Sequence, residues 1–117
     1  VTAVDIDAFA IAAMEINAAA NQAPLTMRLG DIVGSDEGWD VVLAGDVSYE
    51  RDMAARVTDW LQGLARRGAL VLIGDPGRSY LARERLESIA EYQIEVTRDL
   101  EDAEVKKTSV WRFRGLA

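Results

Sequence analysis

Three short runs in this chain end on the same two residues. Leu25 to Leu29 closes on Gly30-Asp31, Val41 to Ala44 on Gly45-Asp46, and Ala69 to Ile73 on Gly74-Asp75. The middle run lies within Trp39 to Tyr49, WDVVLAGDVSY, and the rest of the chain is placed around it. A continuous Val/Leu run of strand length, bounded by Gly and Asp, reads as a strand buried on both faces. Such strands belong to parallel sheets covered by helices, and ligands meet those sheets at the carboxyl ends of the strands. The fold class is therefore α/β, with Gly45, Asp46, Ser48 and Tyr49 at a ligand-binding edge.

The remaining elements follow in order. Val1 to Ile6 is a first β-rich run, and Asp7 is placed to cap a helix over about Ala8 to Asn21. Phe9, Ala12, Ala13, Ile16 and Ala20 recur there at helical spacing and form one apolar face. Ser35 to Gly38 is a polar loop. Met53, Val57, Trp60, Leu61 and Leu64 mark an amphipathic helix over about Asp52 to Arg66. Arg66 and Arg67 suit its negative end, and Gly68 stops it. Ala82, Leu86, Ile89 and Ala90 mark a third helix. Gln93 to Arg98 and Thr108 to Arg114 alternate polar and apolar residues and read as an antiparallel pair, joined by the charged segment Asp99 to Lys107 as a solvated hairpin. The order β-α-β-β-α-β-α-β-β fits a doubly wound, mostly parallel sheet with right-handed crossovers and an antiparallel end. With 117 residues there is room for one domain. Because the chain opens on Val1 inside a strand, it is expected to be a piece of a longer protein.

Composition removes whole classes of chemistry. A formal charge of −7 argues against a nucleic-acid partner, which is held through clustered Lys and Arg. No apolar run reaches the ~20 residues of a membrane-spanning helix. The chain has no cysteine, so disulfides and thiolates are absent and a reducing cytoplasm is compatible. It has no histidine either, which removes Ser-His-Asp catalysis and His-ligated zinc, and no metal site is expected. Chemistry here must run on carboxylates, tyrosine, backbone groups or a borrowed cofactor.

Asp5, Asp31 and Asp46 each fall just past a strand. In a parallel sheet those ends share one edge, so the three carboxylates are expected to converge on one crevice. Asp5 is the candidate to accept hydrogen bonds from ribose hydroxyls and Asp31 from an adenine amine, while Asp46 lies nearest a reacting group. The competing reading is that each acid caps a turn. Tyr49 near Asp46 offers a flat apolar wall with a polar tip, suited to an amine or cation; it could equally pack under the next helix. Asp75-Pro76-Gly77-Arg78 is a rigid turn, because Pro fixes φ and Gly allows a positive one. Arg78 either covers surface, meets an acidic partner or holds the loop. Trp39, Trp60 and Trp111 read as packing residues. No GxGxxG occurs, so no cofactor-cradling glycine loop is present.

The segments VDID, WDVVLAGDVSYE, VLIGDPGR and TSVWRF resemble those of the class I S-adenosylmethionine-dependent methyltransferases. Among them the likeness is to the electron transfer flavoprotein beta-subunit lysine methyltransferase family, and it spans essentially the whole chain. It implies a Rossmann-like sheet lacking its first strand, with residues 1–117 as the C-terminal portion of one methyltransferase domain. It implies S-adenosylmethionine as cofactor, held by Asp5 and Ile6 at the ribose, Gly30 and Asp31 by the adenine, and Gly45. Asp46 and Tyr49 would form an Asp-x-x-Tyr motif near the transferred methyl and the incoming lysine. Ser48 and Asp75, Pro76, Gly77 and Arg78 would border the substrate. The implied partner is a protein, with the electron transfer flavoprotein beta subunit as candidate. The absent strand would lie between the Val1–Ile6 and Trp39–Gly45 strands, so pairing with that missing segment or another chain is expected. Two alternatives remain: a small-molecule or ribosomal-protein methyltransferase on the same fold, and a scaffold domain without catalysis.

Overall fold

The computed structural model describes residues 1–98 and 102–115. The chain forms two compact units, Val1–Ser35 and Asp36–Ala117.

In the first unit, β1 (Thr2–Asp5) and β2 (Thr26–Leu29) pair in parallel, with Thr2 opposite Thr26 and Asp5 opposite Leu29. The connecting helix, α1 (Ala8–Ala20), packs on both strands. Asp7 caps it as expected, its carboxylate accepting from the Phe9 N–H at 2.9 Å. The face anticipated as apolar is not the covered one. Phe9 and Ile16 are exposed, and the half-buried stripe is Ala10, Ile11, Met14 and Ala18. Only Glu15 and Asn17 are polar in AFAIAAMEINAAA, so a helix nearly apolar all round carries no stripe for periodicity to select.

In the second unit, a sheet runs in the order β3-β4-β6-β5, from β3 (Val41–Gly45), β4 (Leu70–Asp75), β5 (Leu86–Arg98) and β6 (Asp102–Phe113). β3 and β4 are parallel, joined through α2 (Arg51–Arg67); β6 is antiparallel to both β4 and β5. The core lies where α2 meets β4. Ala54, Val57, Leu61 and Leu64 are buried with Val71, Ile73, Leu81, Leu86 and Phe113. α2 starts one residue earlier than expected because Glu50 caps it, its carboxylate accepting from Asp52 N and Met53 N. Gly68 ends it at φ 116°, where a side chain would be strained. Trp39 and Trp60 meet edge to face with centroids 6.3 Å apart.

Three expectations need correction. β3 is not buried on both faces: Val41 and Leu43 are 54% and 74% exposed, while Val42 and Ala44 are half-buried. β3 is an edge strand, and Val42 and Ala44 pair with the α2-covered Val71 and Ile73, so only one face is protected. The third helix is absent. A single 3-10 turn, Arg83–Arg85, leads straight into β5. The spacing of Ala82, Leu86, Ile89 and Ala90 mimics a helix because a bulge between Ser88 and Ala90 shifts the strand's alternation. Pairing of Leu86 with Phe113, both buried, outweighs that local pattern. Finally, the antiparallel pair is longer than expected, and Asp102 to Lys107 is strand rather than connecting loop. Residues 99–101 of that charged segment lie outside the described residues. Among the described residues no helix is long and apolar enough to cross a membrane.

Leu61 is fully enclosed, so Leu61→Ala is expected to cost about 2–5 kcal/mol in urea unfolding. Leu43→Ala, on the open face of β3, is expected to shift stability by no more than about 0.5 kcal/mol in the same measurement.

Candidate functional site

The carboxyl ends of the strands carry the candidate residues in two groups, one in each unit. In the first unit the β1–β2 pairing puts Asp5-Ile6 beside Gly30-Asp31, and the Gly30 N–H donates to the Asp5 carbonyl at 3.0 Å. Asp5 Oδ1 accepts from Asp7 N at 2.9 Å, and Asp31 Oδ1 accepts from Val33 N at 3.0 Å. Both acids thus also serve the turn that follows their strand, as aspartates do after strands. Ile6 is exposed.

In the second unit, Gly45 lies opposite Gly74, and the Asp46 N–H donates to the Gly74 carbonyl at 2.9 Å. This last ladder bond carries Asp46 past the sheet and into the left-handed region, at φ 49°. Such a conformation is uncommon outside glycine and is best tolerated by Asn and Asp. Tyr49 is half exposed, whereas Ser48 is buried at 2% exposure.

The Asp75–Arg78 turn is built on one buried carboxylate. Asp75 Oδ2 accepts from both Gly77 N and Arg78 N at 2.8 Å, and Gly77 sits at φ 106°, open to glycine. Pro76 donates nothing, so the two N–H groups free to turn inward both reach Asp75. The Arg78 carbonyl accepts from Arg83 Nη1 at 2.9 Å, which ties the far side of the turn. Held this way, Arg78 reaches back to Asp46. Its Nε donates to Oδ1 at 2.8 Å and its Nη2 to Oδ2 at 2.7 Å, a two-pronged pairing. These hydrogen bonds, joined by the attraction of the opposite charges, hold the Asp46 carboxyl below its ordinary range despite partial burial. The Arg78 guanidinium is correspondingly raised, chiefly by the same hydrogen bonds.

Arg78 therefore both meets an acid and holds the loop, two of the roles open to it from sequence. Its partner lies 32 residues away, and no local pattern names it. Other features had no sequence signal: the Arg83 tie, the Glu50 cap beside Tyr49, and the Arg51 guanidinium 5.7 Å over the Tyr80 ring.

Parallel strand pairs joined through helices are the units of the Rossmann-like class, and comparison with known proteins agrees with it. The crystal structure of TehB from Haemophilus influenzae superposes with a TM-score of 0.55 over 97% of this chain and 49% of that one, at 12% identity. That likeness is one of fold alone, and it bears out the Rossmann-like α/β sheet expected from the motifs. No family profile matches the chain. Curated sequences do. The chain is 35% identical over 120 residues to the electron transfer flavoprotein beta subunit lysine methyltransferase of Danio rerio, and 32% identical over 120 residues to the protein of that name in Xenopus laevis. Each match takes in 97% of this chain but 46% and 49% of the relative, so the chain spans about half the length of the curated relatives it matches. The family resemblance carried by its motifs is borne out at that level: the chain is a homologue of these lysine methyltransferases.

Arg78→Ala is expected to raise the Asp46 carboxyl pKa toward the ordinary carboxylate value, read by carbon-detected NMR titration. A carboxylate depressed on folding stabilises the native state above its unfolded pKa, and that stabilisation is lost as pH falls through the folded value. The stability difference between Arg78→Ala and the parent chain is therefore expected at neutral pH and should vanish in acid.

Proposed function

We propose that this chain is the C-terminal portion of a methyltransferase domain that carries a methyl group from S-adenosylmethionine to a protein lysine. The observation that carries the reading is Asp46. It stands at the end of β3 in a left-handed turn, kept ionised by Arg78, three residues before a half-exposed phenol at Tyr49. The names of the homologues support lysine as acceptor and the electron transfer flavoprotein beta subunit as candidate partner.

The residues present suit the adenosine part of the cofactor. A carboxylate offers two acceptor oxygens, and Asp5 commits only Oδ1 to its own turn, leaving a second acceptor for a ribose diol. Gly30-Asp31, alongside it, is assigned to the adenine, and Ile6 and Gly45 to apolar and close backbone contact. When bound, S-adenosylmethionine supplies a methyl group already activated on a sulfonium.

What this chain contributes is alignment. The lysine must arrive as a neutral amine, its proton passed to solvent. Asp46 accepts an N–H of that amine and so directs the nitrogen lone pair, while Arg78 keeps the carboxylate charged and fixes its plane. Tyr49 narrows the approach with its ring. With the cofactor bound, its activated methyl would be supplied to the amine nitrogen that Asp46 and Tyr49 hold in place, and the proton left on the product ammonium would pass to solvent. Positioning of this kind accounts for ~7–11 kcal/mol of a barrier in favourable cases, which suits a site without histidine. Ser48 and Asp75, both buried, support the segment and the turn, and the exposed Pro76, Gly77 and Arg78 border the approaching protein.

The chain is also proposed to pair along the outer edge of β3 with a strand outside it, since β3 ends its sheet and pairs through its backbone with β4 alone. A stable monomer of this chain by light scattering, melting cooperatively, would count against that pairing.

The test of activity uses the longer protein, labelled S-adenosylmethionine and the electron transfer flavoprotein. Asp46→Asn tolerates the left-handed backbone and keeps the shape of the side chain but removes its charge. It is expected to lower transfer by about 10²-fold or more with an unchanged circular dichroism spectrum. Unimpaired turnover by that variant would remove Asp46 from the mechanism.

A further inference from the structure

Arg78 is held from two sides. Its N–H donates to Asp75 Oδ2 at 2.8 Å, and its carbonyl accepts from Arg83 Nη1 at 2.9 Å. The N–H belongs to the peptide plane before residue 78 and the carbonyl to the plane after it. Each plane is rigid, and only the two dihedrals at the Cα lie between them. Fixing one plane leaves the other free to turn. Fixing both sets the direction of the Cα–Cβ bond from which the guanidinium departs. The Leu81 N–H also points to the Arg78 carbonyl, but at 3.3 Å, beyond the usual range for such a bond. Arg83 is the closer donor to that plane.

Arg83 stands on a fixed base. It opens the 3-10 turn Arg83–Arg85, which lies between Leu81 and Leu86, both buried. Arg85, at the other end of the turn, donates from Nη1 to Gln62 Oε1 at 3.0 Å and from Nη2 to Asp59 Oδ1 at 2.8 Å, which pins the turn to α2. The Arg83 side chain is exposed, yet among the described residues its guanidinium meets no carboxylate. It donates instead to a backbone carbonyl five residues earlier. A guanidinium pairs most strongly with a carboxylate, so charge pairing does not account for this one.

We propose that Arg83 is a positioning residue of this site: by holding the Arg78 carbonyl to the base formed by the 3-10 turn and α2, it aims the Arg78 guanidinium at Asp46. It acts through Arg78 and not on the reacting groups. Asp75 fixes the peptide plane on one side of residue 78 and Arg83 the plane on the other, and the two-pronged bond to Asp46 depends on both. A guanidinium that loses its aim keeps its charge but no longer meets both carboxylate oxygens in one plane. The inference deepens the proposed function, and its bearing on methyl transfer rests on that reading.

Two variants of this exposed side chain make the test. Arg83→Met keeps much of the stem and loses every donor, whereas Arg83→Lys keeps a cationic donor. In each the Asp46 carboxyl is titrated by carbon-detected NMR in about 1 M salt, where the screening length is about 3 Å and loss of a remote charge contributes little. Arg83→Met is expected to move the Asp46 pKa from its depressed position part of the way toward the ordinary carboxylate value, in the direction that Arg78→Ala takes it. Arg83→Lys is expected to titrate close to the parent chain. A merely structural role would lower Tm and leave the Asp46 titration where it is, and that result would overturn the proposal. So would equal titration of the two variants away from the parent, because the donor would then not be what matters. Should Arg83→Met fail to fold, Arg83→Ala is titrated in its place. In the longer protein, with labelled S-adenosylmethionine and the electron transfer flavoprotein, Arg83→Met is expected to lower kcat about tenfold with KM for the cofactor unchanged, and Arg83→Lys to restore it. The carboxyl titration contains neither cofactor nor lysine. A parent protein that transfers no methyl group would therefore remove the proposed function and leave the titration to decide on Arg83.

Discussion

One oxygen atom, Oδ2 of Asp75, fixes the turn on which the second group of site residues depends. It is buried, and it satisfies two consecutive backbone N–H groups that would otherwise point into the same space. A turn that opens with proline and then glycine has few other donors with which to anchor itself, so removing this acceptor would release the turn as a whole. The Arg78 backbone is held at one end of that constraint, and its guanidinium carries the constraint 32 residues back along the chain to Asp46. Strand β4 thereby controls the orientation of a side chain at the end of β3. The link runs through a loop, where small differences in sequence can retune a site without disturbing the sheet.

Arginine rather than lysine at position 78 matters for the same reason. A guanidinium engages both carboxylate oxygens in one plane, so it sets the direction of Asp46 as well as its charge. An ammonium would supply charge alone. Both partners remain nearly half exposed, so water can still reach the pair and a further hydrogen-bond donor can approach the carboxylate without displacing the arginine. A carboxylate oxygen has more than one lone pair, and accepting from Arg78 does not exhaust it.

The strand ends were legible in the sequence because Gly-Asp follows each of three short runs, and all three runs became strands. The helix limits of α1 and α2 followed from Asp7 and Gly68, whose capping chemistry is local. What could not be read was decided at long range. The Leu86 segment looks helical until its pairing with Phe113 is known, and the bulge at Ile89 is what makes a strand imitate helical spacing. The covered face of α1 was illegible for a different reason: a helix apolar on every side offers no contrast. β3 carries the run of a doubly protected strand, yet only the face it shares with Val71 and Ile73 is covered, and Val41 and Leu43 on the other face are open. In the site, Arg78 could be expected to meet an acid, but which acid depended on two strands lying in register.

The left-handed Asp46 bears on whether this corner of the fold exists for stability or for use. A non-glycine residue in that region carries a backbone cost of order 1 kcal/mol. An ion pair this exposed returns little net stability, because water screens it and two long side chains must be ordered to make it. Glycine at position 46 would remove the strain, and a neutral residue at 78 would remove the ordering cost. A chain selected only to stay folded has no reason to keep both. A fixed, charged carboxylate at the end of a strand is what the arrangement delivers, and the proposed role of Asp46 in orienting an amine calls for that.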